Sequence, residues 1–170
     1  NHAQAIRFLE RTGKLNRAIE FLPSDEQIAE REAAGLGLVP PELAVLLAYI
    51  KITLFEQLID SDVPEDSYLQ RELVAYFPQP LRERFAEQMI QHPLRREIIA
   101  TYITNSMINR MGSGFLTRLR DDSGETAADI ARAYSAAREL YHARDLWQQI
   151  DRLDNQIESS LQIEMHLASR

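Results

Sequence analysis

The sequence predicts an all-α fold, an irregular multi-helix bundle, and three observations support this class. Leu, Ile, Ala, Arg, Glu and Gln are abundant, and these residues favour helix over other backbone conformations. Glycine and proline are few, at 6 and 7 of 170 residues. Apolar residues recur at steps of three and four, and no five-residue stretch shows the alternation typical of a strand.

Prolines and glycines divide the chain into helical segments. The segment 42–60 is apolar almost all round, which predicts a central helix. Ser24 and Asp25 are candidate N-caps for the helix that follows Pro23, and Thr126 is one for the helix 127–141, because a side-chain oxygen there can accept from an unpaired backbone amide. We expect the chain to close on one long amphipathic helix over 143–170. The other predicted helices are 3–11, 15–22, 25–35, 67–77, 81–91, 92–112, 115–120 and 127–141.

The length of 170 residues suffices for one domain. We predict a single helical domain over 1–170, with possible sub-bundles 1–60 and 67–170. The acidic, proline-broken loop "DSDVPEDS" (60–67) would separate them. The chain begins with Asn1, and "HAQAIRFLER" has the pattern of a helix interior, so we expect a fragment of a much longer chain.

Composition argues against several classes of partner. The net charge of −7 repels nucleic acid and anionic membrane surfaces, so we expect neither as a partner. The most apolar stretch, 43–59, is broken by Lys51 and Glu56 and does not resemble a membrane span. The chain has no cysteine, which is compatible with a reducing compartment, and we expect a cytoplasmic protein.

Residue patterns for catalysis or for metal and cofactor binding are weak. The turns "GLG" (35–37) and "GSG" (112–114) follow no strand, so we interpret them as helix-ending turns, not as phosphate-binding loops. No histidine lies three or four residues from another, so no helix presents a histidine pair to a metal. We assign no catalytic, cofactor-binding or metal-binding residue. The histidines are His2, His92, His142 and His166.

The segment "HPLRREIIATYITNSMINRMG" carries unusual polar residues. Arg95 and Arg96 open a helix, where the macrodipole disfavours cations. A negative group should compensate these two positive charges, and we favour a structural ion pair over an anionic ligand.

Further along the same helix, Thr101, Asn105 and Asn109 continue a polar line that starts at Glu97. Asparagine is a poor residue for a helix interior. Two on one face indicate hydrogen bonds between helices, or an interface to a missing part of the chain. The candidate interdomain or subunit contacts are therefore Arg95, Arg96, Thr101, Asn105 and Asn109.

Several blocks of this chain resemble one protein family. "PELAVLLAYIKITLFEQLIDSDVPED" (41–66) and the segment 92–112 resemble the C-terminal helical region of the large bacterial NAD-specific glutamate dehydrogenases. Residues 17–38, 68–78 and 132–157 are similar to the same family in the same order. The resemblance covers nearly the whole chain.

The resemblance implies a parent enzyme that oxidatively deaminates L-glutamate to 2-oxoglutarate and ammonia with NAD. The family's dinucleotide fold and catalytic lysine lie upstream of the matched region. The resemblance therefore implies a non-catalytic fragment that binds no NAD itself, with a structural, assembly or allosteric role. The implied partners are the catalytic domain of the same chain and further copies in a homo-oligomer.

Two other hypotheses come from different classes. A free-standing helical adaptor would bind peptides or helices in a groove. A small helical enzyme or phosphotransfer module would need an exposed helical histidine, and His92, beside Pro93, is poorly suited to that role.

Overall fold

A computed structural model describes residues 2–169, and the chain in this range is all-α, as predicted. A short 3-10 helix, Val63–Glu65, lies within the acidic loop. The α-helices are α1 (His2–Arg11), α2 (Asp25–Ala33), α3 (Pro40–Ile59), α4 (Gln70–Tyr76), α5 (Gln79–Ile90), α6 (Arg95–Met111), α7 (Phe115–Ser123), α8 (Ala127–Leu140), α9 (Ala143–Asp151) and α10 (Ser159–Ala168).

Helices α3 and α6 form the centre of the bundle. They pack against each other, and each also packs against α8. The side chains of Leu54 and Leu58 on α3 and of Ile103 and Met107 on α6 are fully buried. Burying an aliphatic side chain of this size contributes about 1.5–3 kcal/mol. One hydrophobic cluster extends from α1 to α9 and includes residues on both sides of the loop 60–67.

Local hydrogen bonds fix several helix ends where the sequence predicts them. Ser24 Oγ accepts from Gln27 N at 3.3 Å, and Gln27 Oε1 accepts from Ser24 N at 2.9 Å, forming a reciprocal cap at α2. Thr126 caps α8 by accepting from the backbone amide of Asp129. Gly35 and Gly112 have φ angles of 70° and 84° and end α2 and α6. The helix-end interpretation of both glycine turns is thus confirmed.

The predicted helix at 15–22 is wrong, because this segment forms successive turns. Asn16 Oδ1 accepts from the backbone amides of Ala18 and Ile19, at 3.1 and 3.3 Å. A short polar side chain competes in this way with helical hydrogen bonding. Phe21 has a φ of 54°, outside the right-handed helical region.

The predicted long C-terminal helix is also wrong, because it is two helices. Helix α9 ends at Asp151, turns follow, and α10 begins at Ser159. Asn155 adopts a φ of 60°, a left-handed conformation that asparagine tolerates better than most residues. Helix α10 folds back on α9, where Gln162 Nε2 donates to Ile150 O at 2.9 Å. This contact is tertiary, so the helical periodicity alone did not reveal the break.

We predict that Leu54→Ala destabilises the protein by about 3 kcal/mol, because it opens a cavity at the contact of central helices. Leu54 is 0% exposed, whereas Ile52 on the same helix is 52% exposed and provides the matched control. Ile52→Ala should change the free energy of unfolding by less than about 0.5 kcal/mol. Urea unfolding followed by circular dichroism measures both, and equal losses would contradict the packing described.

A second prediction concerns the stability of the protein at low pH, which depends on Glu42. Glu42 Oε2 accepts from Arg31 Nη1 at 2.7 Å and from Val39 N at 2.8 Å. The hydrogen bond from Arg31 is the main cause that lowers the pKa of Glu42 below its usual 4.5. The stabilisation is therefore complete above the unfolded pKa and is lost as the pH falls through the folded pKa.

Glu42→Gln should consequently destabilise the protein at neutral pH by less than about 1 kcal/mol, since solvent screens the pair. In acid, where Glu42 is protonated and as uncharged as the glutamine of the variant, the difference in stability between the two proteins should vanish. Urea midpoints at neutral and acidic pH test this expectation, and a difference that grows in acid would refute it.

Candidate functional site

A buried ion network ties α4 to α8 and α9. The side chain of Glu72 on α4 is 0% exposed. Its Oε1 atom accepts from Nη2 of Arg138 on α8 and from Nη2 of Arg144 on α9. Arg138 is itself only 4% exposed. A buried carboxylate needs such partners, because an isolated charge in the interior costs several kcal/mol.

Hydrogen bonds extend this network to α6. Arg138 Nη1 donates to Ser106 Oγ at 3.0 Å, and Ser106 Oγ lies 2.8 Å from the hydroxyl of Tyr134. Arg144 Nη1 donates to the hydroxyl of Tyr102 at 3.2 Å. Burial raises the pKa of Tyr134, so its hydroxyl stays protonated and neutral. The network therefore joins four helices through one carboxylate.

The network stabilises the charged form of Arg144. Burial lowers the pKa of Arg144, but the attraction of Glu72 and its hydrogen bond outweigh this effect, and the pKa lies above its ordinary value. Arg144 Nε also donates to Glu139 at 2.8 Å. Within residues 2–169, Glu72 Oε2 and Arg138 Nε make no hydrogen bond. Two guanidinium groups thus share one oxygen of Glu72, and Glu139, close to both arginines, supplies the second negative charge of the network.

A groove of about 300 Å³ lies over this network. We call it the arginine groove. Its lining combines three arginines and three aromatic rings with uncharged polar side chains, and none of these lining residues is acidic. The lining residues are Tyr76, Thr101, Tyr102, Asn105, Ser106, Asn109, Arg110, Arg138, Arg144, Trp147 and Gln148.

Three of the five candidate contact residues lie together in the arginine groove. Thr101, Asn105 and Asn109 line it on the outer side of α6. None of these three side chains hydrogen-bonds to another helix in the described part of the chain, so the hydrogen bonds predicted between helices are not formed. Their alternative role, as an interface to the rest of the chain, stays a prediction.

The two arginines at the start of α6 lie elsewhere. Arg96 pairs with Glu65 and donates from Nη2 to Ile59 O at 2.7 Å, which ties α6 to the end of α3. This is the structural ion pair that the sequence predicts. Arg95 is half-buried and does not line the arginine groove. The five candidates therefore do not form one site.

Sequence reasoning missed Glu72, Arg138 and Arg144. A signal existed for the first two, since each occupies an apolar position of its helix. Glu72 lies three residues after the buried Leu69, and Arg138 lies four residues after the buried Tyr134. A charged residue at such a position indicates a buried partner. The sequence did not reveal which residues pair, because they are distant along the chain.

A smaller ionic cluster fastens α10 beside the groove. Asp151 Oδ1 lies 3.0 Å from His166 Nε2, and Asp151 Oδ2 accepts from Arg110 Nη2 at 3.3 Å. The Arg110 guanidinium carbon lies 4.9 Å from the centre of the Trp147 ring. This geometry is a cation–π contact. It orients Arg110 at one end of the groove.

Two further features of residues 2–169 concern metals and membranes. In this range, no group of three or more His, Cys, Asp or Glu side chains is arranged to hold a metal ion. None of the helices in the same range has the length and apolar character needed to cross a bilayer.

We predict that Glu72→Gln destabilises the protein by about 3–5 kcal/mol, because it leaves buried guanidinium charge uncompensated. Glu87→Gln on the exposed surface of α5 is the matched control and should change stability by less than about 0.5 kcal/mol. Chemical denaturation measures both variants.

The pair Glu72→Met and Arg138→Met tests the same network by coupling. The double variant should be less destabilised than the sum of the single variants, because it removes a charge together with its partner. Strict additivity would show that the two side chains do not interact.

Comparison with known proteins places the chain in a family. Residues 35–170 match the family model described as "Glutamate dehydrogenase, C-terminal". The NAD-specific glutamate dehydrogenase of Pseudomonas aeruginosa is 46% identical over 155 residues, which are 91% of this chain and 10% of that protein. The enzyme of the same name from Halomonas elongata is 45% identical over 162 residues, 95% of this chain and 10% of the relative.

A more distant relative, the NAD-specific glutamate dehydrogenase of Mycobacterium tuberculosis, is 37% identical over 149 residues, 88% of this chain and 9% of that protein. The chain thus spans about a tenth of the length of the curated relatives it matches. These matches do not favour the free-standing adaptor hypothesis. They confirm the resemblance in the sequence, and the chain belongs to the glutamate dehydrogenase C-terminal family.

Proposed function

We propose that this chain is the non-catalytic C-terminal helical domain of an NAD-dependent glutamate dehydrogenase, and that it braces the catalytic part of the parent enzyme. The parent would oxidise L-glutamate to 2-oxoglutarate and ammonia and reduce NAD. The names of the relatives support this activity for the parent, and the shared C-terminal family supports the position of the domain.

The main observation in favour of a structural role is that Glu72 is buried and bound by two arginines. A catalytic carboxylate must reach a reacting group, whereas Glu72 is fully buried and its Oε1 atom is bound by Arg138 and Arg144. Its geometry cross-links helices that are far apart in sequence. This use of charge favours a rigid brace over a reaction centre.

We place the NAD site of the parent outside this chain. Dinucleotide binding in such enzymes uses a glycine-rich turn between a strand and a helix. Gly35 and Gly112 instead follow helices and end them in left-handed or extended turns. Neither glycine presents the turn that a pyrophosphate requires.

Exposed apolar side chains support docking on the catalytic domain or on another copy of the parent. Leu161, Ile163 and Leu167 on α10 are 49%, 58% and 51% exposed. Leu140 and Tyr141, at the end of α8, are 74% and 77% exposed. Clusters of exposed apolar residues are typical of protein contacts. We retain Arg95, Arg96, Thr101, Asn105 and Asn109 as further candidate contacts.

Truncation of the parent tests the proposal. A full-length protein that carries this sequence is compared with a version that ends before residue 1. We expect the truncated protein to oxidise glutamate with NAD and to contain a different number of subunits in solution, because the brace between its parts or copies is lost. Absorbance of NADH measures turnover, and light scattering measures mass.

The isolated 170-residue chain provides the reciprocal measurement, in which we expect no NADH from glutamate and NAD. Turnover by the isolated chain would refute the non-catalytic assignment. A truncated parent with an unchanged number of subunits and unchanged stability would refute the bracing role.

A further inference from the structure

We propose that the arginine groove holds an extended segment of the parent polypeptide, bound at its main chain by Asn105 and Asn109. This inference rests on the proposed docking of the chain against the rest of the parent, and it names the form of the docked partner. Three properties of the groove support it: its balanced charge, its unused amide groups and the spacing of those groups.

The charges around the groove balance one another. Glu72 and Glu139 pair with the two lining arginines of α8 and α9. Asp151 pairs with the third lining arginine, Arg110, at 3.3 Å. An uncharged polar ligand therefore meets no unmatched charge in the groove. The peptide backbone is the uncharged polar group that every protein segment carries.

Asn105 and Asn109 offer amide groups that the folded chain does not use. Both side chains line the groove. Within residues 2–169, neither side chain makes a hydrogen bond to another part of the chain. An asparagine amide carries an acceptor oxygen and a donor nitrogen, which match the N–H and C=O groups of a peptide backbone. Each asparagine can therefore bind a main chain through two hydrogen bonds.

The spacing of the two asparagines matches an extended chain. They are four residues apart on α6, so they lie on the same face of the helix. Four residues of helix rise about 6 Å. Two residues of an extended chain span roughly 6.6 Å, and alternate residues point the same way. An extended segment along α6 thus brings equivalent backbone groups to both asparagines, whereas a helix has already paired its own backbone groups.

The groove continues into an apolar pocket beside α10. Ile163 and Leu167 on α10 are 58% and 51% exposed there. An apolar side chain just beyond Asn109 would cover part of this surface, and its burial favours docking. The pocket has a volume of about 260 Å³, shares Asn109, Arg110 and Trp147 with the arginine groove, and is also lined by Ile163, His166 and Leu167.

The occupant belongs to the same polypeptide as the groove. The matched residues are 10% of each of two relatives, so most of such a polypeptide lies outside them. A segment joined covalently to the groove is present at a far higher effective concentration than a separate protein. The occupant is therefore an extended segment of the parent outside these 170 residues, uncharged along the groove and apolar at its α10 end.

Photo-cross-linking in the full-length parent tests this inference. Tyr76 lines the groove and is 52% exposed, so Tyr76→p-benzoylphenylalanine places a photoreactive ring there. Tyr141→p-benzoylphenylalanine places the same group at a 77% exposed position outside the groove. We expect the probe at position 76 to cross-link to alternate residues of one segment outside these 170 residues. The product should keep the mass of one polypeptide, and mass spectrometry of its peptides maps the linked positions.

Two pairs of substitutions, combined with the probe at position 76, isolate the asparagine amides. Asn105→Leu with Asn109→Leu replaces both amides by apolar groups of similar size, and leucine favours helix more than asparagine does. We expect this pair to lower the cross-link yield by about fivefold or more, because the backbone groups of the segment lose their partners. Gln88→Met with Gln149→Met makes the equivalent change at two exposed positions outside the groove and should leave the yield unchanged within about twofold.

Four outcomes would overturn the proposal. Absence of a cross-link from position 76 would exclude the groove as a docking site, and cross-links from position 141 alone would do so while leaving the bracing role intact. Links at every third or fourth residue would show a docked helix. A product with the mass of two polypeptides would show that a neighbouring copy fills the groove. Equal yields from the two pairs of substitutions would show that the asparagines do not bind the segment.

Discussion

The buried carboxylate of Glu72 is the constraint on which this bundle depends. Its burial requires positive partners, and the chain supplies them from α8 and α9, more than sixty residues later in sequence. Burying two or more charges carries a desolvation cost, which the burial of apolar side chains does not carry. In return, a directional network specifies how α4, α8 and α9 meet on α6. The central helices α3 and α6 supply buried apolar side chains, and the network fixes how the neighbouring helices pack around α6.

The same network prepares the surface above it. Hydrogen bonds hold Arg138 and Arg144 in one orientation, and both also line the arginine groove.

The α9–α10 hairpin shows why helical periodicity has limits. The apolar spacing of 143–170 satisfies a single helix, and local propensity barely opposes one. The break depends on a left-handed Asn155 and on the packing of α10 against α9. For 15–22 the decisive feature is local, since the side chain of Asn16 captures two backbone amides. That signal was available in the sequence as an asparagine at the start of the segment.

The sequence by itself determined the helical class, the central position of α3, the caps at Ser24 and Thr126 and the family, because these depend on local spacing, capping chemistry and ordered sequence blocks. It also placed Thr101, Asn105 and Asn109 on one polar face of α6. Only the tertiary structure decided what faces them, since Arg138, Arg144 and Trp147 reach the groove from other helices. The partners of Glu72 were decided there too, because pairing between distant residues follows from packing and leaves no fixed spacing in the chain.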